Sequence, residues 1–320
     1  MSHVITDWEI NNLLMSKKPE EIKIPVPWGH LSGKWWGPKD KQPWLAIHGW
    51  QDNAGTFDTL APLLAPHIAL FCVELPGHGL ASHYPKGHFY YIHWDGLIVI
   101  RQIVKYYKWK KVSIIGHSLG GSLAFLYAAS YPEETDAIIC LDVASPAFLD
   151  NSTIVDITGR SIDKFLKYEN LTEKEVPYYP YEEMLEIMMQ GHGGSLTLES
   201  GELMMKRGAR WDPKTNYYLF TRDVRLLSLT AFISQDVALE YASRITCKVL
   251  NIKAIPGSKY RRDDLYHEIL DKIKENAKVL KFYEIEGTHH VHMNDPKSIV
   301  PYIIDFLKME KITSQSLSHE

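Results

Sequence analysis

The chain is poor in cysteine. Cys72, Cys140 and Cys247 are its only three in 320 residues, and they lie far apart. So few cannot build a disulfide framework or a cysteine-rich zinc knuckle, and they suit a reducing compartment. No apolar run approaches the roughly 18–20 residues needed to cross a bilayer, so no membrane span is expected. Positive charge is not in excess: Lys and Arg number 35 against 39 Asp and Glu, a formal net charge of −4. That leaves no basic footprint for nucleic acid or an anionic membrane. Internal repeats and low-complexity tracts are missing as well. The opening from Met1 to Trp8 lacks the basic and apolar regions of a signal peptide. The closing stretch from Ser316 to Glu320 is neither a prenylation box nor a peroxisomal tripeptide. A cytoplasmic protein is the expectation. A hydrophobic fraction of 45% with 23% charged residues is ordinary for a globular chain and rules out disorder. The length allows a sizeable core in one large domain or two small ones.

Short apolar runs alternate with helix-length segments. Residues 22–27 and 30–36 flank a Trp28-Gly29 turn and read as a β-hairpin. Residues 44–47, 68–73, 112–115 and 137–141 read as strands, and 56–65, 90–107 and 121–131 as helices. The stretch before Glu20 is polar and reads as a helix or arm. Runs that are apolar at nearly every position belong to strands buried on both faces. Alternated with helices, they predict an α/β fold: a mostly parallel sheet with helices on both faces. The rhythm stops after Pro146. Residues 147–240 hold amphipathic, Met-rich and Tyr-rich helical patterns without a convincing buried strand. Strand-like runs return at 248–252 and 279–283, with helices at 263–276 and 298–309. This predicts one α/β core, residues 1–146 and 241–320, interrupted by a helical insertion over 147–240.

Three segments carry chemistry. The first is Gly116-His117-Ser118-Leu119-Gly120-Gly121, directly after one predicted strand and directly before a helix. A G-x-S-x-G string alone occurs by chance in about one chain in ten of this length. Its place on a strand-to-helix turn is what makes Ser118 a candidate nucleophile, held in a strained turn with its hydroxyl at the sheet's edge. The amide of Leu119, at the helix N-terminus, is then aimed where an oxyanion would form. The second segment is His48-Gly49-Trp50, after the strand at 44–47. Acyl transfer needs a second oxyanion donor from this loop, and the main-chain amide of Trp50 is the candidate. His48 is better read as a brace for the loop. The third segment is Glu286-Gly287-Thr288-His289-His290-Val291-His292, after the last strand. A serine hydroxyl needs an imidazole base. His289 is the candidate, with His290 and His292 bracing the loop or the helix that follows Pro296. A metal at these histidines is not expected, because no carboxylate or further histidine lies at ligand spacing nearby in the chain.

In this order, these pieces resemble the α/β-hydrolase superfamily, and the resemblance spans nearly the whole chain. It includes Glu74-Leu75-Pro76-Gly77-His78-Gly79 between the first and second segments. More narrowly, the Gly-Thr-His-His-Val-His ending and Arg222-Asp223-Val224-Arg225 resemble the kraken-type, serine-hydrolase-like subfamily, with which Leu141-Asp142-Val143-Ala144-Ser145-Pro146 is compatible. The resemblance implies an eight-stranded mostly parallel sheet, a helical cap inserted between strands six and seven, and no cofactor. It carries over Ser118 as nucleophile, His289 as base, and Trp50 and Leu119 as oxyanion-hole donors. It also permits peroxisomal association, for which no signal is seen.

The acid departs from the common pattern, which places it just after strand seven. Here no carboxylate follows that strand until Asp263 and Asp264. Some members, among them dehalogenases and coelenterazine luciferases, mount it at the end of strand six, where Asp142 stands. A strand end is the short, rigid mount that an imidazole-orienting acid needs. Asp142 is therefore the first choice, and Asp263 or Asp264 the alternative. Dehalogenases and epoxide hydrolases attack with Asp where Ser118 stands, so ester-type acyl transfer is the expected reaction, on a small-molecule ester. Met184, Met188, Met189, Met204 and Met205, with Tyr178, Tyr179, Tyr181, Trp211, Tyr217, Tyr218 and Phe220, suggest an apolar acyl or aromatic substrate group; packing of the cap onto the core accounts for the same residues. The rival reading is a ligand-binding protein or receptor that keeps the fold and turns ligand over slowly or not at all.

Overall fold

The short apolar runs become neighbours in one sheet. The computed structural model describes residues 18–147, 149–172, 175–228, 232–258 and 263–316, so the predicted N-terminal helix or arm lies almost wholly outside the described residues. Its strands are β1 (Glu20–Val26), β2 (Gly29–Trp36), β3 (Trp44–Ile47), β4 (Leu70–Glu74), β5 (Val112–His117), β6 (Thr135–Leu141), β7 (Ala209–Asp212), β8 (Tyr217–Phe220), β9 (Lys248–Gly257) and β10 (Val279–Thr288). Eight of them form the main sheet in the order β1-β2-β4-β3-β5-β6-β9-β10. β1 and β2 pair antiparallel, β2 runs antiparallel to β4, and every other pair in this sheet is parallel.

The helices are α1 (Ala61–Leu64), α2 (Ile92–Tyr106), α3 (Leu119–Ser130), α4 (Asn151–Glu169), α5 (Tyr181–Gly191), α6 (Leu198–Gly208), α7 (Gln235–Ala242), α8 (Asp263–Lys274), α9 (Val291–Asn294) and α10 (Pro296–Ser316). Alternate residues of each central strand serve opposite cores. Leu45, Ile47, Ile114 and Ile138 pack with α2, α3, α7 and α8. Ala46, Ile115, Ile139 and Leu250 pack with α1 and α10. Burial on both faces is why these runs read as apolar throughout rather than alternating. No helix among the described residues is long and apolar enough to cross a membrane.

Between β6 and β9 the chain leaves the sheet. α4, α5 and α6 and the β7–β8 hairpin occupy this excursion, whereas α7 already buries Ala238 and Ala242 in the core. The hairpin was not legible in the sequence, because its strands are half-buried or exposed and lie outside the main sheet. The methionines have a structural task here. Met184, Met188, Met204 and Met205 are buried with Leu185 and Leu196 in a small core that Met293 of α9 completes. Packing accounts for these four, while Met189 is half-buried and Trp211 and Tyr217 are about half exposed, at 50% and 46%.

One buried ion pair fastens the excursion to the sheet, and a second, formed within the excursion, fastens it to the loop after β4. Arg207 on α6 clamps Glu74 at the end of β4, with Nε to Oε1 at 2.7 Å and Nη2 to Oε2 at 2.9 Å. Glu74 also accepts the amides of Ala54 and Leu80, and a Cβ at Gly79 would collide with its carboxyl group. Asp223 accepts a bond from the Tyr90 hydroxyl at 2.9 Å, and Arg225 pairs with Asp223 while donating to the Tyr84 carbonyl at 2.6 Å. The Arg222-to-Arg225 string is thus a fastening between the excursion and the loop after β4. Removing one partner leaves a buried charge uncompensated. Arg207→Ala is expected to cost about 3–5 kcal/mol of unfolding free energy by urea denaturation, and a loss below about 1 kcal/mol would remove this account of the clamp.

Candidate active site

Ser118 sits between β5 and α3 with φ 51° and ψ −113°, a strained conformation for a residue with a side chain. Close packing holds it there. A Cβ on Gly116 would strike the backbone of Gly120, and one on Gly120 would strike the Ile47 carbonyl, so strand and helix approach as only glycines allow. The Ser118 amide donates to the Leu141 carbonyl at 3.1 Å, which ties the turn to the end of β6. Leu119 is the first residue of α3, so its amide has no acceptor within the helix.

One residue beyond β6, Asp142 also has positive φ, at 53°, and is 1% exposed. Its Oδ1 accepts the Ala254 amide at 2.8 Å, and its Oδ2 accepts the Ser258 amide at 2.7 Å. His289 Nδ1 lies 2.6 Å from the same Oδ2. A carboxylate can only accept, so the proton sits on Nδ1 and Nε2 keeps a lone pair. The two C-terminal strands run further than their apolar runs suggest. β9 extends to Gly257 and β10 to Thr288, paired in register to their ends, and this overrun brings Ser258 and His289 to Asp142. Asp263 and Asp264 instead open α8, where Asp264 is exposed. His289 is also held from behind, because His117 Nε2 donates to its carbonyl at 2.9 Å and the two rings stand 4.6 Å apart.

Trp50 lies in the turn after β3, and its indole Nε1 donates to the Leu226 carbonyl at 3.1 Å, so the ring reaches toward the excursion. His48 is a brace, as expected. Its Nε2 accepts the Leu75 amide at 3.1 Å, and its Nδ1 donates to the Gly49 carbonyl at 2.7 Å.

Sequence reasoning missed Asp52. This buried residue accepts the Gly49 amide on Oδ2 at 3.1 Å. Three imidazoles surround it: His117 Nδ1 at 3.1 Å from Oδ2, and His192 Nε2 at 3.0 Å and His290 Nε2 at 3.4 Å from Oδ1. Burial alone would raise the Asp52 carboxyl, but the pull of His290 and the close contacts of all three rings outweigh it and hold it well below its ordinary range. Burial, then the neighbouring His289, lowers His117 to about 3. Burial, then the neighbouring His48, lowers His78 to about 3. No local motif marks Asp52, since its partners come from distant parts of the chain.

The sheet order and the strained serine turn define an α/β-hydrolase fold. A family model described as alpha/beta hydrolase fold matches residues 43–171. A Drosophila melanogaster protein named "Probable serine hydrolase" is 46% identical over 290 residues, covering 90% of this chain and 88% of that one. A "Serine hydrolase-like protein" of Danio rerio is 34% identical over 298 residues, covering 92% and 90%. The solved structure of a hypothetical protein from Pseudomonas aeruginosa PAO1 matches with a TM-score of 0.77 at 25% identity, over 89% of this chain and 99% of that one. The chain belongs to the α/β-hydrolase family and, within it, to the serine hydrolase-like proteins. These relatives support hydrolase activity.

The buried histidines set a pH test. With His78 at about 3 in the fold and near 6.5 when unfolded, only the unfolded chain takes up its proton in between. Its neutral state therefore favours folding above pH 6.5, and that stability is lost as pH falls toward 3. His78→Gln removes this uptake. Its stability between pH 4 and 6 should fall less steeply than the wild type's, by about 1.4 kcal/mol per pH unit in urea titrations. Parallel curves would show that His78 is not held neutral.

Proposed function

We propose that the chain is a serine hydrolase acting on carboxylic esters through an acyl-enzyme. The observation that carries this reading is the 2.6 Å contact between His289 Nδ1 and Asp142 Oδ2, at the sheet edge that presents the strained Ser118. In this reading Ser118 Oγ attacks the ester carbonyl carbon, and His289 Nε2 takes the hydroxyl proton. Asp142 holds the ring in the tautomer that leaves Nε2 free and stabilises the imidazolium that forms. The main-chain amides of Trp50 and Leu119 donate to the developing oxyanion. Collapse breaks the bond to the alcohol oxygen, which takes the proton from His289. A water molecule then attacks the acyl-serine, giving its proton to Nε2, and the carboxylic acid leaves as Ser118 regains its hydrogen.

The support is local geometry of a kind this chemistry requires. A strained turn exposes the nucleophile, and a carboxyl group fixed by two amides is a rigid orienter. The excursion over residues 147–240, fastened through Arg207 and Arg225, serves in this reading as the cap over the site. Small to medium esters are the substrates proposed.

The test is labelling by a fluorophosphonate probe followed by an ester panel. Wild type should label quickly and Ser118→Ala not at all. Asp142→Asn should lower ester turnover by about 10⁴-fold, because the ring then loses its tautomer control. An Asp142→Asn variant as active as wild type would remove Asp142 from the reaction. A wild type that neither labels nor turns over esters would overturn the hydrolase reading in favour of a ligand-binding role.

A further inference from the structure

Asp52, His192 and His290 come from three separate segments: the loop after β3, the C-terminal end of α5, and the turn after β10. The carboxylate oxygen and one nitrogen of each ring all lie within 4.8 Å of one another. Both rings already spend a proton elsewhere. His192 Nδ1 lies 2.8 Å from the Met188 carbonyl, which only accepts, so Nδ1 carries hydrogen. His290 Nδ1 lies 2.7 Å from Ser195 Oγ, and that hydroxyl donates its own hydrogen to the His192 carbonyl at 2.7 Å, so His290 Nδ1 also carries hydrogen. In the neutral form of each ring Nε2 is then a bare lone pair. Both lone pairs point at Asp52 Oδ1, an oxygen whose own lone pairs point back, at 3.0 and 3.4 Å. Acceptors facing acceptors need a cation among them, a proton on one ring or a metal ion, and three ligand atoms converging from three segments suit the ion.

The other half of the carboxylate is already taken. Oδ2 accepts the Gly49 amide and faces His117, which leaves Oδ1 for the ion. Two ligands at about 2.1 Å from an ion, at the tetrahedral angle, stand about 3.4 Å apart, and these contacts fit that spacing. The outer partners also fit. Each ring that faces the ion donates its far N–H to a fixed oxygen, as metal-binding histidines do, and the carboxylate is itself hydrogen-bonded. Two imidazoles and one carboxylate suit a borderline divalent transition metal rather than calcium or magnesium, which take oxygen ligands.

We propose that Asp52 Oδ1, His192 Nε2 and His290 Nε2 form a binding site for a divalent transition metal of the zinc type, with a fourth position left for water or an anion. This departs from the expectation drawn along the chain. His290 has no ligand near it in sequence, and the fold supplies Asp52 and His192. The ion ties the excursion, through His192, to the loops bearing Trp50 and His289. It stands apart from the proposed ester reaction, in which no step passes through it.

The test uses full-length protein without a histidine tag, stripped with a chelator and titrated with Zn²⁺ alone. One ion should bind per chain and raise the thermal midpoint of the wild type. His192→Ala and Asp52→Asn should each weaken binding by at least about 100-fold, and Ser195→Ala, which releases only the far side of His290, by about 10-fold. Co²⁺ should give the visible absorption of a four- or five-coordinate site in wild type and lose it in His192→Ala. His192→Gln, which keeps a polar group at the end of α5, should behave like His192→Ala if circular dichroism shows that the alanine variant is misfolded. Absence of saturable one-to-one binding would overturn the proposal, and so would Zn²⁺ affinity unchanged in a folded His192 variant. Ester turnover enters none of these readouts, so failure here and failure of the hydrolase reading are separate results.

Discussion

The parallel register of the central sheet is the constraint on which the site depends. Strands β3, β5, β6, β9 and β10 run the same way, so their carboxyl ends share one edge. The residues of interest follow those ends closely: Trp50 after β3, Ser118 after β5, Asp142 after β6 and His289 after β10. Open parallel sheets place ligands at this edge because the loops there diverge while the strands beneath stay rigid. Residues separated by more than a hundred positions in the chain thereby meet within hydrogen-bond distance.

Two strained residues stand on that edge. Ser118 and Asp142 both take positive φ without being glycine, and a hydrogen bond from Ser118 N to Leu141 O links their turns. Such conformations cost about 1–3 kcal/mol each and persist only where the surroundings over-determine them. Here the surroundings are visible. Glycine-only contacts lock the turn of Ser118, and the amides of Ala254 and Ser258 grip the carboxyl group of Asp142.

Around this edge the fold buries an unusual amount of polar chemistry. Glu74 and Arg207 neutralise one another across the junction of excursion and core, and Asp223 and Arg225 neutralise one another within the excursion while bonding to Tyr90 and Tyr84. Asp52 differs. It gathers histidines rather than an arginine, and His117 links it to the His289 carbonyl. The loop that carries the candidate base is therefore coupled mechanically to the loop that carries the candidate oxyanion donor.

Local pattern determined the fold class, the serine turn and the order of the motifs. Those signals are short-range: doubly buried strands read as unbroken apolar runs, and a strand-to-helix turn with close packing demands glycines where Gly116 and Gly120 stand. It also placed Asp142 at a strand end, which is where an orienting acid has its shortest mount. Tertiary structure alone decided the rest. The choice of Asp142 as the partner of His289 depended on the overrun of β9 and β10, which no apolar run marks because their outer residues are partly exposed. Four methionines of the excursion pack together in one buried cluster, which no spacing along the chain showed. Asp52 carries no local signature at all. Its meaning comes from three histidines that only the folded chain brings to it, because side-chain convergence is a property of contacts in space and not of spacing along a sequence.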